Sequence, residues 1–118
     1  MEDLRKRTKD FAVRVVKMYT KLPKTTEARI LGKQVLRSGT SVAANYREAS
    51  RARSDAEFIS KLGIVEQELD ETIFWFELLV ESEIVPERLL AELHGEADQL
   101  IRIVVTCVRN TKKRIKNN

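Results

Sequence analysis

The chain has 118 residues, enough for one domain with its own core, and its single cysteine, Cys107, excludes an internal disulfide. Four glycines and two prolines argue against a turn-rich sandwich or barrel, one histidine and one cysteine exclude a zinc site built from several such ligands, and no apolar run approaches the ~20 residues of a membrane span. The net charge of +4 is strongly segregated: residues 1–22 carry +4, 23–53 carry +5, 54–85 carry −8 and 86–118 carry +3.

Four helical segments follow in chain order, with no strand pattern between them. The first spans about Asp3 to Lys21, with Leu4, Thr8, Phe11, Val15, Met18 and Leu22 as one stripe at steps of four and three. Pro23 ends it, and Thr25 or Thr26 offers an N-cap oxygen to the next. The second runs from about Glu27 to Arg51, with Ile30, Leu31, Val35, Val42, Ala43, Tyr46 and Ala49 as its apolar marks. Its centre, from Arg37 through Gly39 to Asn45, is rich in small residues. A break at Gly39 is one reading; a continuous helix whose small residues admit a close neighbour is preferred.

The third segment opens on a capping box, Ser54-Asp55-Ala56-Glu57, in which the serine oxygen accepts from the Glu57 amide and the glutamate reaches back to the Ser54 amide. Phe58, Leu62, Val65, Leu69, Thr72, Phe76 and Leu79 then alternate steps of four and three, an a/d seam over three heptads. Ile73, Trp75, Leu78 and Val80 widen the apolar face beyond one partner, which makes Trp75 a candidate interface residue. The fourth segment starts at Pro86, a favourable first helical position. Its core face is Leu89, Leu90, Leu93, Ala97, Leu100, Ile101, Val104, Val105 and Val108, and it is expected to fray into a basic tail over residues 110–118. Short connections between long helices predict a single all-α domain over residues 1–118, an antiparallel up-down-up-down four-helix bundle. The charged N-terminus carries no apolar signal segment, so a cytoplasmic location is expected.

Two polar stripes flank the apolar seams. Arg37, Ser41, Asn45 and Glu48 share a face of the second helix, and Lys61, Glu68, Glu71 and Trp75 share a face of the third. Half-buried polar groups need partners, so the two stripes are expected to interlock, with Arg37 or Lys61 within ion-pair reach of Glu48, Glu68 or Glu71. A ligand or partner site is the alternative.

The run from Arg37 to Ala49, with Ser54, residues 58–63 and residues 71–75, resembles the 23S rRNA intervening-sequence protein family, whose members are often called four helix bundle proteins. The resemblance covers nearly the whole chain. It implies a bundle assembled into a homopentamer, encoded in some members within insertions in large-subunit rRNA genes. It also implies similarity in fold to the accessory variability determinant of diversity-generating retroelements, a basic pentamer that works with a reverse transcriptase and nucleic acid. The family's commoner motif reads Asn-Ile-Ala-Glu-Gly; the corresponding run here is Asn45-Tyr46-Arg47-Glu48-Ala49, so the glycine is replaced. The motif marks the family and is not catalytic.

Enzyme chemistry finds little support. A di-iron site of the ferritin kind needs Glu-x-x-His on two helices, whereas position 91, three before His94, is alanine. Arg88 and His94 fit only loosely the Arg-x(4–6)-His pattern of HEPN-type ribonucleases, because Leu89 stands where a polar residue is usual. Cys107 reads as a small hydrophobe beside the core. No metal, cofactor or small-molecule substrate is expected. Charge complementarity between helices or subunits accounts for the segregation at its plainest; a basic face for nucleic acid is the sharper reading. Arg29 and Lys33 on the second helix, Arg102, Arg109 and Lys113 on the fourth, and Lys112 and Arg114 in the tail are the candidate phosphate contacts, since they cluster without acidic neighbours at i±4 to neutralise all of them. The expected function is a non-enzymatic homo-oligomer that binds structured RNA or a ribonucleoprotein. The alternatives are a protein scaffold without nucleic acid and, last, an HEPN-like ribonuclease.

Overall fold

The computed structural model describes residues 3–117, and every regular element among them is helical. α1 spans Leu4–Thr20, α2 Thr26–Ala49, α3 Asp55–Glu81 and α4 Glu87–Asn117. The first three starts each have a local chemical cause. Asp3 caps α1 by accepting from the Lys6 amide at 3.2 Å, and Thr25 caps α2 by accepting from the Ala28 amide at 3.2 Å. Ser54 accepts from the Glu57 amide at 3.1 Å, but the Glu57 carboxylate turns back to the Arg53 amide at 3.3 Å, one residue before the Ser54 amide that the box predicts.

α3 hands over to α4 through a Schellman turn. The Ile84 amide donates to the Leu79 carbonyl and the Glu83 amide to the Val80 carbonyl, both at 3.0 Å. The turn requires a left-handed residue, and Glu83 takes it with φ 60°. A side chain there carries strain that glycine would not.

Residue pairings fix the directions of the helices. Val15 lies beneath Gly39, and Tyr19 and Leu22 beneath Gly32, so α1 and α2 are antiparallel. Arg37 meets Glu68 and Glu71 while Lys61 meets Glu48, which sets α3 against α2. His94 faces Glu77 and Arg114 faces Asp55, which does the same for α4 and α3. Arg7 meets Glu96 and Arg14 meets Glu92, closing α1 onto α4. α1 and α3 do not pack side by side, nor do α2 and α4; they lie on the diagonals. The helices thus pack in the up-down-up-down manner, in a body 54 × 21 × 20 Å.

One core runs through all four helices. The a/d seam of α3 is buried from Leu62 to Leu79, with Val65, Leu69, Thr72 and Phe76 between them. α1 contributes Leu4, Thr8, Phe11 and Val15, and α4 contributes Leu90, Leu93, Ala97, Leu100 and Val104. α2 is unbroken at Gly39. A β-carbon there would sit 2.9 Å from both methyls of Val15, so glycine lets the two helices approach. That close approach turns a small-residue face of α2 inward, with Ala28, Gly32, Val35 and Val42 buried. The sequence reading placed Ile30 on this face; Ile30 is 57% exposed because Ala28 takes the position. Leu89 is likewise 61% exposed, since Leu90 holds the inward position of the same turn. Nor does the C-terminal segment fray at residue 110. α4 remains helical to Asn117, held by buried Thr111 and by Arg114 on Asp55. No helix among the described residues is long and apolar enough to cross a membrane.

Candidate nucleic-acid interface

The α2 and α3 stripes come together along one seam. The Arg37 guanidinium contacts the carboxylates of Glu71 and, at 3.4 Å, Glu68. The Trp75 indole N–H donates to the same Glu71 carboxylate at 3.1 Å. That indole, and then Arg37, hold the Glu71 carboxyl below its ordinary pKa against the opposing effect of burial. Further along, Lys61 reaches Glu48 at 2.9 Å, and the pair raises the Lys61 pKa. Asn45 turns inward on its own helix and donates to the Ser41 carbonyl and hydroxyl, both at 2.9 Å. Beneath the stripes the Thr72 hydroxyl bonds the Ser38 hydroxyl at 2.8 Å, with both residues fully buried. Every charged member of the cluster has a partner within the chain, so the arrangement works as a strut between two helices.

The basic candidates are scattered more than their spacing suggests. Arg29 and Lys33 are exposed on the first half of α2, while Arg109, Lys112 and Lys113 are exposed near the end of α4, on the diagonal helix and at the opposite end of the bundle. About twenty residues of rise at 1.5 Å each put the two groups roughly 30 Å apart along the axis. Two of the candidates have acidic partners. Arg102 lies 3.7 Å from Asp98, one turn back on its own helix. Arg114 forks onto Asp55 at 2.9 and 3.3 Å across the α3–α4 seam, which lowers the Asp55 pKa and raises that of Arg114. The Asp98 contact was readable as an i, i+4 spacing; the Asp55 contact joins residues 59 apart and needs the fold.

Folding gathers a different basic surface. The start of α1, the α2–α3 turn and the end of α4 all lie at one end of the molecule. Residues 3–10, 43–62 and 102–117 hold fourteen Lys and Arg against five Asp and Glu. The remaining described residues hold eight against twelve. Arg5, Lys9, Arg47, Arg51 and Arg53 therefore join Arg109, Lys112 and Lys113 in one exposed basic end. The first five escape a sequence reading because they belong to separate segments whose proximity depends on helix direction.

A sequence model of the 23S rRNA-intervening sequence protein family matches residues 2–106. The chain belongs to that family. It also resembles a crystal structure of a protein of unknown function from the S23 ribosomal protein family of Bacteroides thetaiotaomicron, with 35% identity, a TM-score of 0.83, and coverage of 88% of this chain and 96% of that one. No curated protein matches it. The family match stops at residue 106, short of the last three turns of α4 with their run of cations.

The remaining sequence candidates fall elsewhere. Trp75 is half-buried and meets the 52%-exposed Phe74 edge-on, with ring centroids 4.9 Å apart and planes at 69°. His94 lies 3.4 Å from the Glu77 carboxylate across α3–α4, and Arg88 is exposed one to two turns before it. Cys107 is half-buried against the core. Among the described residues no group of three or more His, Cys, Asp or Glu is placed to hold a metal.

Proposed function

We propose that this protein is a non-enzymatic, homo-oligomeric binder of structured RNA or of a ribonucleoprotein, acting in the cytoplasm through its basic end. The observation that carries the reading is the charge polarity of the bundle. Cations from α1, the α2–α3 turn and α4 converge on one end, where few carboxylates answer them. Such a surface attracts phosphate backbone by field strength, without reading bases. Few aromatic rings stand near it, which favours backbone or shape recognition over stacking on single strands. Membership of a family described by its link to 23S rRNA agrees with an RNA partner.

Assembly belongs to the same proposal. The exposed Phe74 beside Trp75 gives α3 an outward apolar face, which suits a subunit interface, and the family resemblance suggests a ring of five. Light scattering should report an oligomer at micromolar concentration; a monomer would refute the ring. Trp75→Ala should weaken assembly more than it destabilises the protomer.

The deciding experiment for RNA is a titration of labelled structured RNA at two salt concentrations. Affinity should fall on a log–log plot with a slope of roughly −0.7 to −0.9 per phosphate contacted. Alanine at Arg109, Lys112, Lys113 and Arg114 together should weaken binding evenly across RNA sequences. If the wild-type protein binds no RNA at low salt, or binds with no salt dependence, a protein scaffold becomes the better reading. The exposed Phe74 on α3 favours that alternative. RNA cleavage that disappears with His94→Ala would overturn the non-enzymatic assignment.

A further inference from the structure

At the basic end, α1 and α2 border a groove of about 430 Å³ whose floor is Ala43 and Ala44 and whose rims carry Arg5, Lys9 and Arg47. The groove exists because two consecutive alanines leave the α2 surface bare where α1 begins. Arg5 and Lys9 stand one turn apart on α1, about 6 Å along its axis, so they present as a pair. Arg47 stands on the opposite rim, one turn from Ala43.

The other charges in the groove are already engaged. Asp3 accepts from the Lys6 amide as the N-cap of α1. Lys6 pairs with Asp10 at 2.7 Å, which raises its pKa. Arg5, Lys9 and Arg47 have no carboxylate within ion-pair distance among the described residues. Three uncommitted cations thus face one trough from two sides.

We infer that this groove seats the phosphodiester backbone of RNA. The assignment rests on the RNA-binding reading and sharpens it, because none of its three cations is in the α4 tail. A backbone strand fits the chemistry on three counts. It brings a row of anions to a row of cations, and Arg47 offers a planar fork suited to phosphate oxygens. The alanine floor leaves room for ribose without a steric or polar demand. Nothing in the groove is aromatic, so bases are left unread.

The test compares three variants with wild type in the same salt-dependent titration of a labelled RNA hairpin, each checked for helicity and for oligomer size. Arg5→Ala/Lys9→Ala/Arg47→Ala should reduce the magnitude of the log–log slope by about 2–3, close to one per lost phosphate contact. Ala44→Leu, at constant charge and with a good helix former, should weaken binding by filling the trough. The α4 variant, with alanine at Lys112 and Lys113, should lose less slope than the triple variant. Inorganic tripolyphosphate should compete with RNA for wild type, and should compete poorly for the triple variant. If wild type binds RNA while the triple variant and Ala44→Leu keep its affinity and slope, the groove assignment is wrong and the RNA reading stands. If wild type binds no RNA, both fall.

Discussion

Two seams of the bundle are held together in different ways. Between α2 and α3 the contact is the most extensive in the molecule, and the polar ties of Arg37, Lys61 and their glutamates run along its outer edge. Between α1 and α4 the contact is the slightest. There Arg7 forks onto Glu96 at 2.7 and 2.9 Å and extends to Gln99 at 2.7 Å, with the two charged side chains only 22% and 19% exposed. Near its other end the seam opens into an apolar groove of about 470 Å³ bordered by Leu22, Val85 and Leu93. Where packing is deep, ion pairs are peripheral; where packing is thin, one sheltered ion pair carries a larger share. Ion pairs at the two seams therefore stand for different energies.

The largest effect that would test this contrast is in the core. Leu69→Ala, in the fully buried α3 seam, should cost about 2–5 kcal/mol in urea denaturation. Leu93→Ala, beside the open groove, should fall at the low end of that range because its neighbours can relax. Equal losses would contradict the description of the α1–α4 seam as the looser one.

A smaller effect is expected at Gly39. Alanine there meets Val15 and must push α1 outward, at about 1–3 kcal/mol, read as a lower melting temperature. Unchanged stability would show that α1 can shift freely.

Next come the ion pairs. Arg7→Ala should cost about 1–2 kcal/mol, as for a sheltered charge-assisted hydrogen bond. Arg37→Ala, at a half-exposed residue, should cost about 0–1 kcal/mol. Reversal of that order would break the comparison.

The Glu96 carboxyl is held below its ordinary pKa by its hydrogen bonds to Arg7, against a smaller opposing effect of burial. A depressed carboxyl stabilises the fold above the ordinary glutamate value near 4.3, and that contribution is lost as pH falls through the lowered value. Glu96→Gln should therefore lower stability at pH 7 and have progressively less effect toward pH 3. A constant difference across that range would remove the Arg7 pair from the account.

The sequence carried the helices well because their signals are local. Ser54, the a/d run to Leu79, Pro23 and Pro86 each act within a few residues. It misplaced Ile30 because hydrophobic size and inward direction part company where small residues let helices touch: Ala28 goes in and Ile30 stays out. It underestimated α4 beyond residue 110 because the tail's support comes from Asp55 and from burial of Thr111. The polar strut was readable, since period and charge sign suffice to align two antiparallel stripes. The basic end was not, because Arg5, Arg47 and Lys112 share a surface only through the directions of three helices.

Charge polarity also bears on assembly. If copies of this bundle stand side by side in one direction, their basic ends form a common rim and repel one another. A polyanion laid across that rim removes the repulsion, and added salt weakens it. Ligand and assembly then become linked variables: RNA would tighten the oligomer, and the oligomer would tighten RNA. A head-to-tail stack would instead place each basic end on the opposite end, where residues 17–33 and 77–92 hold six Lys and Arg against six Asp and Glu, and conceal it from RNA. The direction in which neighbouring copies point thus decides whether the basic end is a working surface or an internal joint.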